Sequence, residues 1–278
     1  MEHLFLAWRE VAVQLRAARH ILFFSDYDGT LAPIAERPEL ANLSRETSEL
    51  LQTLARQSCF TICVISGRAC RDLQQRVGIR SIIYAGNHGL EIEGPAMSFI
   101  NPIAKELKPL FRHLHQSLSK ALGKVSGVLV ENKGLSLSVH YRMVAEDKRD
   151  EVKNIFEQAI DAARSLGKVR ITSGKRVYEV RPAVAWDKGK AIALLLKRQR
   201  KPKRKTQVLP IFLGDDLTDE DGFKVINQYR GISIFVGEET ANTAAHYFLD
   251  SPAEVEKFLG RLLEHASRVR QGGETLAG

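Results

Sequence analysis

Ile21-Leu22-Phe23-Phe24-Ser25-Asp26-Tyr27-Asp28-Gly29-Thr30 reads as a short apolar strand that runs directly into two carboxylates two residues apart. An unbroken apolar run of this length suits a strand covered on both faces, as in a parallel sheet with helices on either side. In open sheets of that kind ligands bind outside the carboxyl ends of the strands. Asp26 and Asp28 would therefore both project into a site, from a tight turn eased by Gly29. A carboxylate can attack phosphorus, carry a proton or bind a hard metal ion. Alone, the motif fits an acidic turn equally well.

Outward from this stretch, further apolar runs at 60–65, 81–85, 208–213, 232–236 and 246–249 alternate with helix-like segments. Such alternation predicts an α/β fold with a doubly wound parallel sheet. Ser44 is placed to cap a helix over 45–57, and Gly78 to close one over 69–77. Between about 98 and 184 the pattern changes. A helix-like segment at 103–122 is followed by alternating strands 128–131 and 135–140 around Asn132-Lys133-Gly134, and by 169–172 and 177–180 around Ser173-Gly174. Paired hairpins with helices describe an α+β unit. The expected organisation is a discontinuous core of residues 1–97 and 185–278, interrupted by an α+β insert at 98–184 that closes over it as a cap.

Three more motifs follow strand candidates or open a helix. Ser66-Gly67-Arg68 offers a hydroxyl and a helix N-terminus to an anion, although a plain turn would read the same way. Asp187-Lys188-Gly189-Lys190 offers cations for phosphate charge, or a solvated first helical turn. Gly214-Asp215-Asp216-Leu217-Thr218-Asp219-Glu220-Asp221 places five acids in eight residues at the end of an apolar run. Without a cation these acids repel one another, and a hard ion such as Mg²⁺ removes the conflict.

Composition narrows the class. The 278 residues carry a net charge of +8, but much of the excess lies in the run 197–205. No aromatic residue is interleaved there to stack on bases, so a solvated loop is favoured over a nucleic-acid or polyphosphate site. No apolar stretch approaches the roughly 20 residues of a membrane-spanning helix. The first twenty residues lack a basic start and a cleavage site, and read as an amphipathic helix rather than a targeting segment. Cys59, Cys63 and Cys70 form neither a metal-ligand pair nor an even disulfide framework, which suggests reduced thiols and a cytoplasmic location.

The order acid pair, serine, lysine, acidic loop resembles the haloacid dehalogenase-like phosphatase superfamily, with its Rossmann-like core and, in one large subclass, a cap between the second and third motifs. The segments Phe24 and 26–34, Gly86-Asn87-His88-Gly89, Glu131-Asn132-Lys133-Gly134, Val139-His140-Tyr141-Arg142, Glu179-Val180-Arg181-Pro182 and 214–220 are similar to the trehalose-phosphate phosphatases within that superfamily. The likeness spans roughly residues 20–250; Ser25 stands where leucine is common. It implies Asp26 as nucleophile, Asp28 as general acid, and Ser66 and Lys188 as phosphoryl-binding groups. It implies Mg²⁺ held by Asp26, the backbone carbonyl of Asp28, and Asp215, with Asp219 reaching it through water. It also implies sugar recognition by Glu131, Lys133, Arg142 and Glu179, with Arg68, Asn87 and His88 at the core rim. Trehalose 6-phosphate is then the expected substrate, and a trehalose-phosphate synthase a candidate partner. The alternatives are another glycosyl phosphate (sucrose, glucosylglycerol or mannosylglycerate phosphate) or a catalytically silent regulator, which loss of an acid at 26 or 28 would have signalled.

Overall fold

The computed structural model describes residues 1–35, 37–174, 176–199, 207–238 and 242–274. The chain begins with strand β1 (Glu2–His3), helix α1 (Trp8–Ala17), β2 (His20–Ser25), α2 (Arg45–Ala55), β3 (Phe60–Ile65), α3 (Cys70–Val77), β4 (Ile83–Gly86), β5 (Glu91–Gly94) and β6 (Met97–Ile100). It continues with α4 (Pro102–Glu106), α5 (Lys108–Leu122), β7 (Leu129–Asn132), β8 (Leu137–His140), α6 (Arg149–Ser165), β9 (Val169–Gly174) and β10 (Val177–Pro182). The last part holds α7 (Lys188–Gln199), β11 (Val208–Gly214), α8 (Glu220–Gln228), β12 (Ile232–Val236), β13 (Tyr247–Leu249) and α9 (Pro252–Glu274). Two compact units result: Met1–Ser98 with the chain from Trp186 onward, and Phe99–Ala185.

The first unit is built on a sheet in the order β1-β13-β12-β11-β2-β3-β4-β5-β6. The strands from β1 to β4 are parallel to their neighbours, and β5 is antiparallel to β4. Ile21 and Phe23 of β2 pack with Val11 and Leu15 of α1, Leu51 and Leu54 of α2, and Val255, Phe258 and Leu262 of α9 in one buried cluster. Phe212 of β11 meets Phe223 of α8 with ring centroids 5.2 Å apart. Burial of successive residues of β2 explains its lack of polar alternation. The Cys63 and Cys70 thiols are buried, and burial pushes Cys70 up to about 12, so both are poor nucleophiles. No described helix is long and apolar enough to cross a membrane.

Helix α2 starts where its sequence says it should. Ser44 Oγ accepts the Thr47 N–H at 2.9 Å and donates to Glu256 of α9 at 2.6 Å. Ser44→Ala should therefore cost about 1 kcal/mol and lower the melting temperature by about 2–4 °C, measurable by circular dichroism. Gly78 ends α3 in the left-handed conformation at φ 70°.

The second unit is a four-stranded antiparallel sheet in the order β7-β8-β10-β9. Leu137 and Val139 of β8 and Val180 of β10 pack against Phe111, Leu114 and Leu118 of α5 and Val152, Phe156 and Ile160 of α6. Tyr178 is stacked between Tyr141 and Phe156, at 4.7 and 4.6 Å. Because side chains alternate along a strand, the opposite face carries a directly paired row of Glu131, Ser138, Glu179 and Thr172.

Four expectations are corrected. The chain start is not one helix: Glu2 and His3 add an edge strand beside β13, with Leu4 buried, and the helix begins at Trp8. The segment 103–122 breaks at Leu107, because Pro109 has no N–H for the carbonyl four residues earlier and disfavours helix at the residue before it. The first hairpin loop is longer than its Asn-Lys-Gly signal, since Asn132 pairs with Leu137 and Lys133 N–H reaches Ser136. The second turn comes after Gly174 rather than at 173–174, because Gly174 still pairs with Val177 and Arg176 takes the positive φ of 67°. Of the basic run, Lys197 and Arg198 are exposed on α7, and 200–205 lie outside the described residues.

Candidate active site

Strands β11, β2 and β3 are neighbours and run in one direction, so the loops after Gly214, Ser25 and Ile65 leave the sheet at one edge. Asp26 is fixed by its N–H to the Leu213 carbonyl at 2.8 Å. Gly29 has φ 81°, and a Cβ there would overlap the Asp215 carboxylate; a Cβ on Gly214 would overlap that of Asp219. Glycine is required at both places because carboxylates lie against the backbone.

The carboxylates of Asp26, Asp215 and Asp219 lie within 4.8 Å of one another. Lys188, the first residue of α7, is almost wholly buried, with Nζ 2.7 Å from Asp219 Oδ1 and 3.0 Å from Asp26 Oδ1. Asp219 Oδ2 accepts the N–H groups of Asp215 and Asp216 at 3.1 and 3.2 Å, and Thr30 donates to Asp215 at 3.3 Å. One ammonium thus faces three acids. Burial, opposed by Lys188 and reinforced by neighbouring acids, pushes Asp26 up to about 8. Burial and the Asp219 charge push Asp215 up to about 7, and burial also raises Asp219 despite Lys188. The lysine is raised as well, because the acids around it outweigh burial, and this favours its charged form. Asp26 Oδ1 makes the ion pair with Lys188 but no aligned hydrogen bond. Clustered carboxylates whose charges burial and mutual repulsion disfavour are a donor set suited to a hard divalent cation.

Ser66 is buried at the end of β3, and its Oγ accepts the Arg68 N–H at 3.2 Å. The Asn87 and His88 N–H groups bind the carbonyls of Arg68 and Ser66 at 2.7 and 2.8 Å. Asn87, His88 and Gly89 all have positive φ, at 51°, 56° and 84°. Non-glycine residues adopt this region rarely, and such turns concentrate at functional sites. The Trp186 indole donates to the Gly89 carbonyl at 2.9 Å, so α7 and this turn are tied together. Arg68, expected at a substrate rim, grips both oxygens of Asp28 at 2.7 and 2.6 Å.

On the second unit, Lys133 Nζ meets Glu179 Oε1 at 3.1 Å and His140 Nε2 meets Glu131 Oε2 at 2.9 Å. Arg142 is exposed just past β8. Between the two glutamates the Ser138 hydroxyl is buried with no hydrogen-bond partner among the described residues. Ser138 and His140 were missed by sequence reasoning. Alternation put Ser138 and His140 on one face, but only the strand register sets them beside Glu131 and Glu179.

Residues 24–253 match the family model described as trehalose-phosphatase. The chain belongs to the trehalose-phosphatase family. It is a phosphatase by that membership. It is 37% identical over 272 residues to trehalose 6-phosphate phosphatase RA3 of Zea mays, covering 92% of this chain and 73% of that one. It is 35% identical over 268 residues to probable trehalose-phosphate phosphatase H of Arabidopsis thaliana, covering 92% and 75%. Its fold is shared with the C-terminal domain of the Candida albicans trehalose-6-phosphate phosphatase, with a TM-score of 0.75 and 24% identity over 92% of this chain and 96% of that one.

Proposed function

We propose that this family member hydrolyses trehalose 6-phosphate to trehalose and inorganic phosphate through a phosphorylated Asp26. The observation that carries the reading is the cluster of Asp26, Asp215 and Asp219, from the ends of the adjacent strands β2 and β11, around the buried Lys188, with Ser66 at the end of the next strand, β3. An Asp26 oxygen attacks phosphorus in line, and the sugar oxygen leaves as Asp28 gives it a proton. Asp28 then takes a proton from water, whose oxygen attacks the acyl phosphate, releasing phosphate and restoring Asp26. Lys188 and the Ser66 hydroxyl hold the phosphoryl oxygens, where charge spreads in a loose transition state.

Asp26, the Asp28 carbonyl, Asp215 and Asp219 would hold Mg²⁺, which supplies charge neutralisation for the phosphoryl group. Because Asp219 already accepts two backbone N–H groups and Lys188, its contribution would be indirect, through water. Mg²⁺ should raise the melting temperature of the chelator-treated protein and restore its activity. In Asp215→Asn the thermal shift should disappear, and a full shift there would place the ion elsewhere.

Glu131, Lys133, Arg142 and Glu179, with Asn87 and His88, are the proposed sugar-reading groups. Paired charges around a buried hydroxyl suit a ligand rich in hydroxyls. Reduced, inert thiols fit a cytoplasmic setting. Phosphate release with Mg²⁺ from trehalose 6-phosphate, sucrose 6-phosphate and glucose 6-phosphate tests the substrate. The trehalose compound should be preferred at least tenfold in kcat/KM, a difference of about 1.4 kcal/mol. Equal turnover of all three would overturn the specificity, and no turnover of any would favour a silent regulator.

A further inference from the structure

We infer that Asp72, acting through Arg68, is a positioning residue for Asp28; the inference rests on the general-acid role proposed above. Arg68 uses every nitrogen of its guanidinium. Nε and Nη2 take the two oxygens of Asp28, and Nη1 takes Asp72 Oδ2 at 2.9 Å. Its charge lies 5.3 Å from the Tyr27 ring centroid, and its side chain is nearly buried.

Asp72 is itself held. Arg76 Nε lies 2.9 and 2.8 Å from its two oxygens, while Arg76 Nη1 donates to the carbonyls of Glu39 and Ala41 at 3.2 and 3.1 Å. The Ala41 carbonyl also accepts the Tyr27 hydroxyl at 3.0 Å. The contacts therefore close a ring: Asp28, Arg68, Asp72, Arg76, Ala41, Tyr27 and back through one peptide bond to Asp28. Asp72 and Arg76 stand one turn apart on one face of α3, and Arg68, two residues before the helix, reaches Asp72 in its first turn.

A carboxylate on a turn otherwise samples several rotamers, whereas a planar fork bound at both oxygens fixes its plane and direction. Proton delivery to a leaving oxygen depends on that direction. Asp72 neutralises part of the Arg68 charge and pins its third nitrogen, so the fork stays aimed at Asp28. A solvated pair of helix-surface charges would need none of this closure, and its loss would affect every substrate alike.

The test separates proton delivery from the rest of the reaction. p-Nitrophenolate leaves without a proton, whereas a sugar alkoxide needs one. Single-turnover rates of leaving-group release are compared for p-nitrophenyl phosphate and the best sugar phosphate of the panel. Asp28→Asn sets the reference and should slow sugar release about 100-fold while sparing p-nitrophenolate release. Asp72→Ala should slow sugar release about tenfold, change KM by less than about twofold and leave p-nitrophenolate release near wild type. Asp72→Glu should recover most of the loss, and Arg76→Ala should reproduce it in smaller measure. Equal slowing of both substrates, or of neither, in the Asp72 and Arg76 variants overturns the positioning role while Asp28→Asn stays selective. If Asp28→Asn is itself unselective, the general-acid reading fails and the inference falls with it.

Discussion

Asp26→Asn should reduce phosphate release by about 10,000-fold or more, because an amide oxygen cannot form the acyl phosphate that divides the reaction into two steps. The variant should fold as well as the parent. Asparagine is nearly isosteric, and Asp26 is buried among acids that already disfavour its charge. The expected pair of results is therefore a dead enzyme with an equal or higher melting temperature when metal-free. Residual turnover within tenfold of wild type would sink the nucleophile assignment; a collapsed melting temperature would show that Asp26 chiefly holds Lys188.

Lys188→Met should combine a catalytic and a structural loss. Removing one partner of a buried ion pair leaves uncompensated charge and costs about 3–5 kcal/mol, which corresponds to a fall of roughly 6–20 °C in melting temperature. Without its ammonium, the phosphoryl group also loses a preorganised cation, worth about 100-fold to 1,000-fold in kcat. The deficit should depend on pH. Burial already raises Asp219 above its ordinary range, and loss of the lysine raises it further. A carboxylate whose folded value exceeds its unfolded one binds more protons in the native state, so stability falls as pH rises from about 4. The gap between variant and parent should thus be wider at pH 8 than at pH 5. A constant gap measured by denaturant titration would mean that the lysine acts by packing rather than by charge. Lys188→Arg should not rescue activity, since a fork cannot replace a point charge in this space.

The parallel core was legible because its strands are buried on both faces, so that runs such as Phe60–Ile65 and Ile232–Val236 stand out without any alternation to decode. The edge strand at Glu2–His3 was not legible. Two residues carry no periodicity, and only the backbone of β13 tells the chain to pair there. Hairpin registers were missed by one to two residues for a related reason. Gly134 and Ser173-Gly174 are turn-forming residues, but which of several neighbouring positions turns is decided by the packing of Leu137, Val139 and Val180 onto the helices. In the site, the acids and Lys188 were visible because so many charges at strand ends demand an explanation. The grip of Arg68 on Asp28 was hidden, because its partner lies 40 residues earlier in the sequence.

The central strand pair has a consequence for how the molecule is made. His20 of β2 pairs with Val208 of β11, and Glu2 at the very start pairs with Tyr247 near the end. On a ribosome adding about 5–20 residues per second, β2 waits on the order of ten to forty seconds for its neighbour to be synthesised. During that interval β2 and β3 can pair and the inserted unit can fold, but the edge that will receive β11 stays open. The nascent chain is therefore most exposed before Gly214 emerges, and every partial product ending before it lacks the acidic loop. Premature release leaves a half-sheet whose open edge can pair with another chain.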